Sequence, residues 1–428
     1  MLGGDLAAYA TAIRRFSRNA RLYVVHVIGM DMIHGTWLVL FNLYLLTVGF
    51  SIEFVGLRLF VGGLAGAVAA VPAGFVSDRI GRKWSFILGD GVGAALGIIS
   101  ILSTNEAVLL ATAVLGAVVG TLHGVSEPAF MAENSEPPER VHLFSVAEGL
   151  RTGSAMIGSL VAGFVPLLAA DLADKVTLYR AATLLGLGVW GLSLIPALLL
   201  RGVDRPSGRR RLAWRELTAN VRHPARIGQL VAVGALTYFG FAFVGPLFNV
   251  FYKEGLHAHE HEIGLTFASG ELFLAAAALA APFLAARLTN VQAIVGTRLL
   301  AIPFILVIGF SPSLATVSNV LTLAGFAYVA RIMLSNAAGP IAEAFSMEIL
   351  DPGERATMVG LRSTVGQGLG AIGSLAGSRL MAGGDFVTPF LVMAALYGAA
   401  AVLFWVWFRP LERAAARIEA VLAAEPAK

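Results

Sequence analysis

Cysteine is absent from this 428-residue chain. Disulfides and thiolate metal sites are thereby excluded, and the redox compartment leaves no mark on the sequence. Charge is scarce as well, with Asp, Glu, Lys and Arg at 14% against 57% hydrophobic residues, where an average soluble domain carries roughly 25% charged residues. So apolar a chain has more oily surface than one water-soluble core can bury. No Gly-x-x-x-x-Gly-Lys-Ser/Thr stretch occurs, so the phosphate cradle of an ATP-driven pump is missing from this chain. A catalytic cluster and a soluble domain are lacking too, which argues against an enzyme, and nothing calls for a cofactor.

What is present is a series of about twelve apolar runs, each long enough, at roughly 18 to 25 residues, to cross a bilayer as a helix. They start near Leu22, Phe54, Trp84, Ala107, Leu143, Thr177, Ile227, Ile263, Val291, Leu314, Ala356 and Phe386. Ala, Gly and Leu dominate several of them, which favours helices over barrel strands. The first run follows Arg14, Arg15, Arg18 and Arg21 and is too long for a cleaved signal, so it is expected to remain as helix 1.

Basic residues crowd alternate connections: ahead of helix 1, between helices 2 and 3, at Arg140, from Arg201 to Arg226, at Arg287 and Arg355, and after helix 12. The opposite side holds only Lys175, Arg180, Lys253 and Arg379. This bias predicts a multi-pass protein of the cell inner (plasma) membrane with both termini in the cytoplasm. Bases at that face attract anionic lipid headgroups, so the formal charge of +4 needs no nucleic-acid partner. Arg209-Arg210-Arg211 has no compact reading domain beside it.

A polar stretch from Arg201 to Arg226, with Pro206, Gly208 and Pro224, falls near the middle of the chain. It reads as a linker between an amino-terminal bundle, 1–200, and a carboxy-terminal one, 227–428. The halves repeat each other. Leu40-Phe41-Asn42-Leu43-Tyr44 in helix 1 recurs as Leu247-Phe248-Asn249-Val250-Phe251 in helix 7. Pro137, Glu139, Arg140 and Ile157-Gly158-Ser159-Leu160 recur at one constant offset as Pro352, Glu354, Arg355 and Ile372-Gly373-Ser374-Leu375. Pairing helix 1 with 7 and 5 with 11 implies duplicated six-helix halves.

Between helices 2 and 3 runs Gly74-Phe-Val-Ser-Asp78-Arg79-Ile-Gly81-Arg82-Lys83. A charged hairpin between two apolar segments belongs at a membrane surface. Its pattern, Gly-x-x-x-Asp-Arg-x-Gly-Arg-Lys, resembles the loop signature of the major facilitator superfamily of secondary transporters. That resemblance implies an all-α membrane protein of twelve transmembrane helices in two pseudosymmetric six-helix bundles, worked by alternating access. It also implies a gating loop of Gly74, Asp78, Arg79, Gly81, Arg82 and Lys83. Asp78 is expected to accept hydrogen bonds from the amino end of an adjacent helix, with the three bases in the headgroup layer. The alternative is that the bases only set topology. In the second half the loop has decayed around Pro282, Ala286, Arg287 and Asn290.

Ionisable groups inside the spans are costly and therefore candidate sites. Asp31 and His34, three apart in helix 1, share a face with Asn42, and Asp31 is the first candidate for proton coupling, followed by His34, Glu127 and Glu148. Glu148 and Arg151 can simply neutralise each other. Candidate cavity residues are Asn42, His123, Arg151 and Asn249, with Glu271, Arg298, Arg331, Asn336 and Arg362 in the second half. An acidic first half facing a basic second half can hold an anion or a zwitterion, or form exchanging salt bridges. Asp90 aligns with Arg298. His26 is expected near the membrane interface, and Arg58 snorkels or gates near the outer end of helix 2. The antiporter branch of the family often has Arg-x-x-Gln-Gly in helix 4; the matching stretch here, Gly120-Thr-Leu-His123-Gly124, has no arginine.

Gly186-Leu-Gly188-Val-Trp-Gly191 and Gly368-Leu-Gly370-Ala-Ile-Gly373 fit a dinucleotide pattern but lie inside apolar spans, as packing glycines. His257, His259 and His261 read as a solvated loop rather than a metal site, and no metal is expected. The tail beyond Arg409 reads as a short helix on the membrane surface. The function expected is proton-coupled efflux of small, partly hydrophobic molecules, with uptake of an organic anion or zwitterion, or lipid flipping, as alternatives. Expected partners are the substrate, protons and membrane lipids, with the chain a monomer.

Overall fold

Long runs of Ala, Leu and Gly have no water to satisfy their peptide groups inside a bilayer, so each run must close its own hydrogen bonds as a helix. The computed structural model describes residue 13 and residues 15–201, 221–314 and 319–424, with no strand among them. The long helices are α1 (Arg18–Thr47), α2 (Ile52–Ile80), α3 (Arg82–Leu102), α4 (Glu106–Glu133), α5 (Pro137–Leu168) and α6 (Lys175–Leu198), then α7 (Pro224–Ala242), α8 (Glu260–Ala285), α9 (Asn290–Phe310), α10 (Val320–Ala337), α11 (Pro352–Ala382) and α12 (Thr388–Ala424). Helical turns prolong α7 to Gly255, and a further helix, Gly339–Glu348, follows α10. Ten spans among the described residues are long and apolar enough to cross a membrane; α8 and α11 bring the long helices to twelve.

Caps written in the sequence set several boundaries. Ser17, Ser51, Asn105 and Asp174 each accept a backbone N–H at the start of α1, α2, α4 and α6, and Thr289 with Gln292 forms a capping box for α9. The tenth helix starts later than its apolar run. Ser311–Leu314 is a 3-10 turn, and α10 begins at Val320 after Asn319 in a left-handed conformation, φ 73°. A proline at 312 and serines at its sides suit a turn better than a helix interior. The expected separate helix after Arg409 is instead part of α12, which runs unbroken through Pro410 to Ala424. Pro206, Gly208 and Arg209–Arg211 of the expected linker lie outside the described residues.

By contacts the chain forms two compact units, Met1–Leu212 with Pro246–Leu272, and Ala213–Gly245 with Phe273–Lys428. In the first, α1 packs on α5 and α6, α2 on α4, and α3 on α4 and α6. In the second, α7 packs on α11 and α12, and α9 on α10 and α12. Apart from α2 on α4, the first unit's pairings recur one repeat later. The match reaches single atoms: a Cβ on Gly158 would lie 2.0 Å from Met32 O, and one on Gly373 would lie 3.0 Å from Phe239 O. Met32 and Phe239 each stand eight residues before the Leu-Phe-Asn repeat. Each α5-type helix thus uses its repeated glycine to bring backbone against backbone, which is how helices associate where lipid supplies no hydrophobic drive.

Candidate functional site

In the first unit a single arginine gathers the acids of three helices. Arg151 of α5 donates from Nη1 to Glu148 Oε2 at 3.0 Å, from Nη2 to Glu127 Oε1 of α4, and from Nε to Asp31 Oδ2 of α1 at 3.4 Å. Asp31 is 5% exposed, while the Glu148 side chain is 65% exposed. Glu271 of α8 lies within coulombic range of Asp31 and Glu148 and forms no ion pair among the described residues. The expected local pair of Glu148 and Arg151 is therefore one arm of a shared contact. His34 does not bond Asp31; it is exposed and lines the same cavity as Asp31.

A second polar cluster fills the core of the same unit. Asp90 Oδ2 of α3 contacts His26 Nε2 of α1 at 2.9 Å and His123 Nδ1 of α4 at 2.8 Å. His26 Nδ1 faces the Ser193 carbonyl at 2.7 Å, and the Tyr23 hydroxyl reaches His123 Nε2 at 3.3 Å. A carbonyl only accepts, so His26 Nδ1 carries hydrogen and donates there. Its contact with Asp90 then requires a second hydrogen, shared between imidazole and carboxylate. Phe86 and Phe130 close over the cluster, with ring centroids 5.1 and 5.0 Å from Tyr23. His26 is thus wholly buried rather than interfacial, and His123 belongs to this core rather than to a substrate cavity. The physical reason is the same for both: an imidazole with a carboxylate partner is tolerated where an unpaired one is not.

Among the described residues, His26, Asp90 and His123 also form one of two donor sets compact enough for a cation, the other being His223, Asp351 and Glu354. In each the donors already hold one another by hydrogen bonds, so the residues do not fit a metal better than they fit themselves.

Asn42 and Asn249, expected in the cavity, instead clasp each other. Asn42 Nδ2 donates to Asn249 Oδ1 at 3.0 Å and to Pro246 O at 2.8 Å, while Asn249 Nδ2 donates to Val39 O at 3.0 Å. Both are buried and their amide donors are spent on structure. In the second unit Arg362 pairs with Glu343 at 2.6 Å, Arg331 is buried beside Tyr328 and Phe241, and Asn336 donates to Ile332 O in its own helix. Arg298 lies over Phe404, with its Nη1 buried and without a hydrogen-bond partner among the described residues.

The hairpin between α2 and α3 turns on Gly81 at φ 85°, a conformation that favours glycine. Arg82 reaches Asp78 at 3.0 Å, Glu133 of α4 at 3.3 Å and Ser77 Oγ at 2.7 Å. Asp78 thus pairs inside its own hairpin, and Arg82, with a side chain 13% exposed, turns inward. Lys83 caps the Leu200 carbonyl at 3.1 Å; Arg79 is exposed. Gly74, expected to make room for a neighbour, has open space where a Cβ would be.

Beside Asp31 the first unit has an open cavity of about 490 Å³ between α1, α2, α3, α4 and α6. Asp31, His34, Trp37, Arg58 and Trp190 supply its polar and aromatic wall, and most of the remainder is aliphatic or glycine. Sequence reasoning did not find Trp190 or the place of Arg58 in it.

Twelve long helices, duplicated packing and ionisable groups held inside the spans define the class: a secondary transporter fold. The sequence model of the Major Facilitator Superfamily matches residues 22–234 and 230–424. The chain belongs to that family and is a multi-pass membrane transporter. It is similar to the nucleoside transporter NupG, at 15% identity and a TM-score of 0.65 over 92% of this chain and 99% of that one. A bacterial homolog of the human lysosomal transporter Spinster, in an inward-facing and occupied conformation, matches at 15% identity and a TM-score of 0.69 over 92% and 96%. The human organic anion transporter MFSD10 (TETRAN) matches at 17% and 0.61 over 90% and 99%. Comparison with curated protein sequences finds no match.

Proposed function

We propose that this protein works by alternating access of two bundles, 1–200 and 227–428 joined through 201–226, and exports small, partly hydrophobic molecules in exchange for protons at the plasma membrane. The observation that carries this reading is the crowding of Asp31, Glu127 and Glu148 onto the one guanidinium of Arg151. One cation balances about one carboxylate, and each further ionised acid inside a membrane costs several kcal/mol unless it is hydrated or takes up a proton. Asp31, the most enclosed of the three, is the group whose protonation would release Arg151 to the other acids. Opening the cluster to alternate compartments then carries that proton across. The largely apolar cavity next to it supports a partly hydrophobic cargo. Gating by the Gly74–Lys83 hairpin belongs to the same reading, with Arg82 linking α2, α3 and α4.

Proteoliposomes given a pH jump test it: export loaded by an inward proton flux is expected, and Asp31→Asn should uncouple the two. Substrate and proton moving in the same direction would overturn antiport. That outcome would support a second reading, symport of an organic anion, which the unpartnered Nη1 of Arg298 favours.

A further inference from the structure

Arg58 stands about 10 Å into α2 at the helical rise of 1.5 Å per residue, and no carboxylate pairs with it among the described residues. Its Nε is buried with no hydrogen-bond partner, and the residue as a whole is partly buried. The guanidinium lies over the Phe41 ring at 4.2 Å and near Trp37 at 5.7 Å. Those two rings are themselves stacked at 3.8 Å and 7°. The aromatic faces offset only part of the cost of a buried cation.

Trp190 also lines this cavity; its indole Nε1 is buried without a hydrogen-bond partner. Its presence there is built in: a Cβ on Gly93 would come 2.7 Å from the indole Cη2, so only glycine leaves the ring its place. Gly116 leaves open space on the α4 wall, and at Gly62 the α2 wall packs close to α4, where a Cβ would lie 3.3 Å from Ala113 O. The volume of about 490 Å³ lies within the roughly 300–1,000 Å³ of small-molecule sites. Asp31 at the cavity edge is already engaged by Arg151 and does not supply a counter-anion.

We infer that this cavity, inside one unit, binds an amphipathic organic anion. Its carboxylate or phosphate pairs with Arg58, and its slender apolar body lies along the apolar wall toward the Trp190 ring. This goes beyond the transport reading, since it places a ligand of stated chemistry in a pocket that needs no second bundle. The same anionic chemistry can reach it from a lipid headgroup or from water.

The test is calorimetric titration of the full-length protein, in nanodiscs of phosphatidylcholine, with 2-naphthoate and its neutral counterpart 2-naphthamide. Naphthoate should bind at least tenfold more tightly than naphthamide, and Arg58→Gln should abolish that preference. Arg58→Lys keeps the charge and should retain part of the preference, and apparent melting temperatures of all three proteins check folding. Weaker naphthoate binding in phosphatidylglycerol discs supports a lipid headgroup as the natural occupant; undiminished binding supports a water-borne anion. Equal affinity for acid and amide, equal naphthoate affinity in wild type and Arg58→Gln, or no naphthoate binding overturns the site. No proton flux is read, so its failure leaves the exchange mechanism to its own test.

Discussion

Asn42 and Asn249, which hold equivalent places in the two copies of the Leu-Phe-Asn repeat, hydrogen-bond to each other at 3.0 Å. Duplication has thus left two copies of one residue in a position to satisfy each other. Asn249 is the more committed partner, since its oxygen also accepts from Val250 N at 2.9 Å and its amide donates to Val39 O.

Breaking this clasp should cost stability rather than transport specificity. Leaving a buried polar group unpaired costs about 1–3 kcal/mol, although hydrogen bonds in membrane proteins average nearer 0.6 kcal/mol. Asn249→Ala is expected to lower the apparent unfolding free energy more than Asn42→Ala, and the double variant less than the two together. Denaturant titration in detergent reads all three; strict additivity would contradict a direct contact.

Asp90 is the acid on which two buried histidines converge, so Asp90→Asn should be among the most damaging single changes in the first unit. Removing one partner of a buried charged pair typically costs about 3–5 kcal/mol. Asn still accepts from His123, but His26 loses the partner that shares its hydrogen. His26→Gln in the Asp90→Asn background should recover part of the loss. Thermal unfolding of the four proteins checks it, and no recovery would mean that the damage comes from His123 alone.

The elements that were legible in the sequence are those whose cause is local. The turn at Gly81 depends on residues within one turn of each other, and apolar length alone separates most of the spans. Side-chain partners were legible only as far as the i,i+3 spacing, which is why Glu148 was visible beside Arg151 while Glu127, on α4, was not. Asp90, His26 and His123 come from three helices, and their meeting depends on helix rotation, which an all-round apolar span does not encode. Tyr23 and His26 at i,i+3 on one face were the available hint. The repeat carried more: its glycines and asparagines identified real contacts, although the asparagines serve structure rather than cargo.

Glycines in these helices are not equivalent, and two alanine substitutions separate them. Gly158→Ala drives a methyl against the Met32 carbonyl at 2.0 Å, where only backbone can yield. Its loss should reach the roughly 1–3 kcal/mol of an overpacked core. Gly74→Ala enters open space within a helix and should be neutral or stabilising by up to about 1 kcal/mol. Melting temperatures of the two variants, read beside a transport assay, also decide whether Gly74 serves the hairpin: lost transport with unchanged stability would give it a role that packing does not.

Glu354 gives the clearest pH dependence. It stands ahead of the apolar part of α11, with Oε1 accepting from the backbone N–H of Arg222 at 2.6 Å and of His223 at 2.5 Å, while Oε2 accepts from His223 Nδ1 at 3.1 Å. Burial by itself would raise its pKa, but these bonds to the ionised form outweigh it and hold the carboxyl at about 2. A carboxyl whose folded value is depressed binds its proton more readily once unfolded, where its pKa is about 4.3. Its contribution is therefore complete above that value and is lost as pH falls toward 2. Glu354→Gln should melt below the wild type by a constant margin from pH 8 to about pH 5, and the margin should narrow on further acidification. A margin that is constant down to pH 3, or that widens there, would show that the carboxylate charge is not what ties the start of α7 to α11.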